Sequence, residues 1–144
     1  MAISFSTYDL STDPLANLEN IELWIKQVSD NKGFSIGEIS YYFSSDNYIH
    51  SVNREFLGHD YPTDIITFDY TLRRKISGDI LIGIPVVKNN SQRFGVTFFE
   101  ELLRVIIHGI LHLIGFPDYT EEEKKVMRRE EDKALKLYQE LFSN

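Results

Sequence analysis

Cysteine is absent from the 144 residues. That one absence excludes a disulfide scaffold, a thiolate zinc finger, an iron–sulfur centre and a cysteine nucleophile. It fits a reducing compartment. Long hydrophobic runs are lacking too. The longest uncharged, largely apolar run, Val105 to Pro117, falls short of the ~20 residues a membrane span needs, and it contains two histidines. The opening MAISFSTYDLST has no basic region followed by an apolar stretch, so no signal peptide is expected. Repeats, low-complexity segments and dividing linkers are missing as well. The expectation is a soluble, cytoplasmic protein with no membrane partner. A chain of this length matches one ordinary domain of about 100–200 residues. It can bury roughly two-thirds of its unfolded surface and so fold without a disulfide or a structural metal.

Positive charge is scarce in the first half. Residues 1–72 carry 3 basic and 11 acidic side chains, whereas residues 73–144 carry 12 and 11, which together give the net charge of −7. Between residues 73 and 93, Arg73, Arg74, Lys75, Lys88 and Arg93 face only Asp79. A local basic patch on an acidic protein is one reading and a solvated face is the other, because only clustering in space makes an electrostatic footprint.

Hydrophobic spacing sets out an α/β order. Ile3 to Tyr8 alternates as a strand, and Leu18, Ile21, Trp24, Ile25 and Val28 recur at helical spacing within 15–31. Glu38 to Ser44 reads as a second strand, and residues 46–57 read as a helix capped by Gly58. Ile65 to Tyr70 and Gly78 to Ile84 read as a hairpin pair joined by the basic turn Arg73–Lys75. Pro85 suits the first turn of a short helix ending at Gly95. Thr97 and Thr120 each precede a glutamate by three residues, Glu100 and Glu123, which is the capping-box spacing. They open a very apolar helix over 98–114 and a charged helix over 121–142, with Val126, Met127, Ala134, Leu137, Tyr138, Leu141 and Phe142 expected inward. The expected fold is a single α/β domain: about four strands in a mixed sheet, covered by helices, one of them buried and bearing metal-ligand residues.

The chemistry concentrates in that apolar helix, in the run His108-Gly109-Ile110-Leu111-His112-Leu113-Ile114-Gly115-Phe116-Pro117-Asp118. Positions i and i+4 share one helix face, so His108 and His112 can reach one ion. Gly115 stands where the helix should end, and Pro117 prevents it from resuming. A turn there can return Asp118 to the same face. Two imidazoles, one carboxylate and an open fourth position make a catalytic-type zinc site. The competing reading makes both histidines hydrogen-bonded core residues. In zinc proteases of the H-E-x-x-H type the residue after the first histidine is a glutamate base. Here it is Gly109, which disfavours peptide hydrolysis by that route.

A second segment runs from Asn53 through Arg54, Glu55, Phe56, Gly58, His59, Asp60, Pro62, Thr63 and Asp64 to Phe68. Taken alone, Arg54 is a surface arginine near a helix C-terminus, where its charge is favourable.

Together the two segments resemble the YbeY family of metal-dependent endoribonucleases. Its pattern H-G-x-L-H-L-x-G is matched by His108, Gly109, Leu111, His112, Leu113 and Gly115. Its N-R-E-F-x-G-x-D-x-P-T-D run is matched from Asn53 to Asp64, and its G-D-I by Gly78-Asp79-Ile80. The resemblance implies an α/β domain that cleaves single-stranded RNA, acting in 16S ribosomal RNA maturation, small-subunit assembly and ribosome quality control. It implies one metal ion per chain, expected to be zinc, and an arginine at Arg54 lining the active cleft. Its partners would be the 16S rRNA precursor, the small ribosomal subunit and its assembly factors. The sequence departs at the family's third histidine, which is Asp118 here, and at Leu57 and Asp69, where the family has arginine and proline. A carboxylate is a good zinc ligand. It lowers the formal charge of the site from +2 to +1, which weakens the ion as a Lewis acid.

The sequence-level hypothesis is therefore phosphodiester cleavage by an ion on His108, His112 and Asp118. Arg54 would stabilise charge on the phosphate, and Arg73, Arg74 and Lys75 would guide the RNA strand. Either activated water or the RNA 2′-hydroxyl can be the nucleophile. The alternative is a ribosome-assembly factor that binds without cutting and uses the metal structurally.

Overall fold

The computed structural model describes residues 2–8, 10, 14, 15, 17–45 and 64–143. The predicted helix over 46–57 and the segment carrying Arg54 lie outside these residues. Among the described residues the order is β1 (Ala2–Tyr8), α1 (Leu18–Asn31), β2 (Ser35–Ser44), β3 (Ile65–Asp69), β4 (Lys75–Gly83), α2 (Ile84–Phe94), α3 (Phe98–Ile114) and α4 (Glu121–Phe142). No helix among them is long and apolar enough to cross a membrane.

The four strands form one mixed sheet in the order β1-β2-β4-β3. β1 runs parallel to β2, β2 parallel to β4, and β3 antiparallel to β4. Strand residues alternate between faces. Phe5, Ile39, Tyr41, Phe43, Ile80 and Ile82 join the main core with the helices, while Tyr42, Ile66, Phe68 and Leu81 form a smaller cluster. β2 and β4 begin three residues earlier than the alternation predicts, with a register shift between Ile36 and Ile39. The alternation breaks at that irregularity, so the strand start is hidden from a period-two reading. The β3–β4 connection closes tightly: Leu72 and Lys75 exchange both backbone hydrogen bonds, leaving Arg73 and Arg74 as the turn, with Arg73 at φ 58°.

Two buried side chains tie the layers together. The Tyr41 hydroxyl donates to the carbonyl of Ile106 at 2.8 Å, holding α3 to β2. The Trp24 indole donates to the carbonyl of Ala134 at 2.7 Å, holding α1 to α4. Gly109 brings α3 down onto the sheet. A Cβ there would lie 3.0 Å from the Ile80 side chain and 3.3 Å from that of Ile65, so any larger residue would crowd both side chains at this approach. Thr120 forms the expected full capping box with Glu123. At Thr97 only one half forms, the threonine accepting from the Glu100 amide. On α4, Met127 and Ala134 are buried as expected, but Val126 and Leu141 are exposed. Residues adjacent in a helix point about 100° apart, and here Val126 and Leu141 fall on the solvent side of the stripe that buries Met127 and packs Phe142 against the core.

Candidate metal centre and its cleft

Apart from Glu100 in its first turn, α3 is apolar all round except for one stripe. Glu101, Arg104, His108 and His112 follow one another at spacings of three, four and four residues, and so stack along a single face. That face looks onto a cleft of about 820 Å³. β3 forms part of its wall with Ile65, Thr67 and Asp69, the residues that alternate onto the helix side, and Asp64 lies just before them.

The turn after α3 completes the centre. Gly115 takes φ 122°, a region that disfavours any side chain, and the Phe116 amide returns to the carbonyl of Leu111 at 3.0 Å. At the far side Glu123 accepts from the amides of Tyr119 and Thr120 at 3.0 and 2.9 Å. Asp118 is thus held on a turn fixed at both ends. Its Oδ2 lies 3.3 Å from Nε2 of His108 and 3.4 Å from Nε2 of His112. The ligand atoms of all three lie within 4.8 Å of one another. The sequence-derived set is therefore brought to one point.

The opposite edges of the imidazoles are engaged. Nδ1 of His108 is 2.6 Å from Oε2 of Glu131, and Nδ1 of His112 is 2.9 Å from the carbonyl of Phe116. Glu131 is buried, and its Oε1 accepts from Arg104 at 2.9 Å. Arg104 also donates to Asp132 at 2.8 Å. With both Nδ1 atoms occupied, two Nε2 atoms and a carboxylate oxygen remain, a donor set suited to zinc.

Electrostatics differ across the cleft. Burial works against the charged form of His108, but the Glu131 hydrogen bond and the charges of Glu131, Asp118 and Asp64 outweigh it and raise the pKa. Burial and the neighbouring His108 lower the pKa of His112, against the pull of Asp118. Burial raises Asp64 and Glu101 above the ordinary carboxylate range.

Arg73, Arg74 and Lys75 are exposed at the hairpin tip and are not among the described residues lining the cleft. Arg74 lies over the ring of Phe34, 5.1 Å from its centroid. The cations that do line the cleft among the described residues are Arg104 and Arg128. Arg128 is exposed and forms no ion pair among the described residues. The sequence reading missed Glu131, Arg104 and Arg128. A signal existed for Glu131: it stands four residues after Met127 and three before Ala134, a charged residue on an apolar stripe.

A family model described as Endoribonuclease YbeY matches residues 5–139. A protein named Endoribonuclease YbeY from Bacteroides thetaiotaomicron is 44% identical over 137 residues, covering 95% of this chain and 99% of its own. One of the same name from Phocaeicola vulgatus is 50% identical over 114 residues, covering 79% of this chain and 83% of its own. The solution structure of a Thermotoga maritima protein matches with a TM-score of 0.72 at 26% identity, over 98% of this chain and 91% of that one. Matches that run nearly end to end in both sequence and fold settle the kinship: the chain belongs to the Endoribonuclease YbeY family.

Proposed function

We propose that the protein is a metal-dependent endoribonuclease, its 144 residues forming one domain that cleaves single-stranded RNA. In the cell it would act in the cytoplasm on the 16S rRNA precursor, with the small ribosomal subunit and its assembly factors, in rRNA maturation and ribosome quality control. The observation that carries the reading is the convergence of His108, His112 and Asp118 on one point of an open cleft, in a chain whose relatives bear the name endoribonuclease.

One zinc ion per chain would be held by the two Nε2 atoms and Asp118. Bound there, such an ion supplies Lewis-acid polarisation of a phosphate oxygen or a more acidic water. The protein supplies the rest. The walls from β3 and α3 seat the strand beside the centre. Arg128, on the rim and without an ion pair among the described residues, can take a phosphate oxygen through its fork. Arg54 keeps the role of stabilising charge at the phosphate that the family resemblance gives it. Arg73, Arg74 and Lys75 would extend phosphate contact outside the cleft. A Cβ at Gly109 would meet the strand side chains of Ile80 and Ile65, so a protease-type glutamate at that position would run into the sheet.

The test is cleavage of an end-labelled single-stranded RNA by protein carrying one equivalent of zinc, with His112→Ala alongside. Cleavage lost in the variant is the expected result. RNA that stays bound and intact at all times, with zinc loaded, would refute catalysis and favour an assembly factor that binds without cutting. A strand lacking the 2′-hydroxyl then separates the nucleophiles: its survival means internal attack, its cleavage means water.

A further inference from the structure

We infer that Glu131 is a positioning residue of the metal centre: it accepts Nδ1–H of His108, fixing the tautomer that leaves Nε2 free for a metal, and Arg104 holds it in place. This rests on the metal-site reading above.

A neutral imidazole carries one N–H, and the bond made by one nitrogen decides the state of the other. At His108 two carboxylates compete, Glu131 at Nδ1 and Asp118 at Nε2. Three observations favour Glu131. Its oxygen is nearer, at 2.6 Å against 3.3 Å. Its side chain is 7% exposed, while that of Asp118 is 34% exposed and also faces His112. Its second oxygen is occupied by Arg104 at 2.9 Å, so the carboxylate cannot rotate away. Arg104 in turn is braced by Asp132. The guanidinium thus fixes the carboxylate in place, and a fixed carboxylate acceptor both orients a ligating histidine and strengthens it as a donor to metal.

The two histidines thus differ. His112 is held by the backbone carbonyl of Phe116, which no side-chain change removes. His108 is held by a side chain from another helix, 23 residues away. The arginine on the α3 stripe consequently serves the centre from behind, leaving Arg128 as the described cleft cation available to substrate.

The test measures zinc affinity by competition with a chromophoric chelator, for wild type, Glu131→Gln and Asp132→Asn. In Glu131→Gln the new side-chain amide would have to turn its oxygen to Arg104 and its N–H to His108, which pushes the imidazole proton onto Nε2. Loss of such an outer partner weakens metal binding about 10–100-fold. That loss is expected for Glu131→Gln, with Asp132→Asn within about twofold of wild type because the asparagine oxygen can still accept from the exposed arm of the arginine. The second measurement is the ring-nitrogen NMR spectrum of His108 in metal-free wild type, taken at alkaline pH where the ring is neutral and its one proton should sit on Nδ1. Wild type that takes up no zinc would overturn the metal site itself. Wild type that binds zinc, with Glu131→Gln unchanged, would overturn the positioning role alone. A neutral wild-type His108 with its one proton on Nε2 would overturn it even if Glu131→Gln failed to fold.

Discussion

Consider Arg104→Met, which removes the guanidinium and keeps an apolar stem of similar length. In the native protein Arg104 bonds a buried carboxylate, Glu131, and an exposed one, Asp132. The exposed arm is worth about 0–1 kcal/mol. The buried arm is larger, because breaking a buried pair and stranding one charge costs about 3–5 kcal/mol. Arg104 lies on a cleft wall at 14% exposure, so water relieves part of that cost. The loss should come to about 2–4 kcal/mol, against a total stability of about 5–15 kcal/mol for an ordinary domain. With a urea m-value of about 2 kcal/mol/M, the unfolding midpoint should fall by about 1–2 M. Measuring in excess chelator removes any contribution from metal affinity. The decisive comparison is the same substitution in a Glu131→Gln background. A neutral amide at that position strands no charge, so Arg104→Met should cost about 1 kcal/mol or less there, giving an interaction energy of about 1–3 kcal/mol. Equal losses in both backgrounds would refute the argument, since the cost would then come from packing rather than from the buried charge.

Three further outcomes follow from the same geometry. Gly109→Ala should gain about 1 kcal/mol of helix propensity and lose about 1–3 kcal/mol to overpacking on Ile80 and Ile65, so thermal unfolding should show a net loss; a stabilised variant would mean the helix rides higher on the sheet. Arg128→Ala should weaken binding of an uncleavable single strand regardless of sequence and reduce the log–log salt slope by about 0.7, one phosphate contact's worth; an unchanged slope would remove Arg128 from the phosphate path. In chelator, His108 contributes stability below its unfolded pKa of about 6.5 that is lost as pH rises through its higher folded value. His112, shifted downward, contributes the opposite slope, stability lost as pH falls below about 6.5. His112→Ala should therefore lose stability more steeply than wild type between about pH 6 and 8 in urea titrations, and a flatter profile would contradict the assigned directions.

Much of this was legible in the sequence because the ligands are local. His108 and His112 share a face by helical spacing alone, and Gly115-Phe116-Pro117 marks the turn that returns Asp118. The helix caps at Thr97 and Thr120 and the hairpin pair also declared themselves through short-range chemistry. What stayed hidden depends on contacts between elements. Glu131 sits in a helix crowded with charge, so its inward direction shows only once Met127 and Ala134 fix the buried stripe. Arg104 belongs to the histidine face by spacing, yet its partners lie on α4. The clustering of Arg73, Arg74 and Lys75 is real along the chain, but a two-residue turn places them at a tip, away from the cleft lining. Gly109 looked like a missing base; against Ile80 and Ile65 it is the contact that seats the helix.

The centre and its supports also have a kinetic meaning. His108, His112, Asp118 and Glu131 all fall within α3, the Gly115 turn and α4, whereas the sheet joins β1 to β2 and β2 to β4 across some 35–40 residues. Contacts close in sequence form faster than distant strand pairings. The helical hairpin bearing the ligands can therefore assemble while the parallel strands are still unpaired. Zinc present during synthesis would meet a nearly finished binding site on an unfinished domain. Affinity shared between that early form and the native one cancels from the stability difference. The ion should thus speed folding more than it raises the final unfolding free energy, since it rewards a step that lies before the sheet closes.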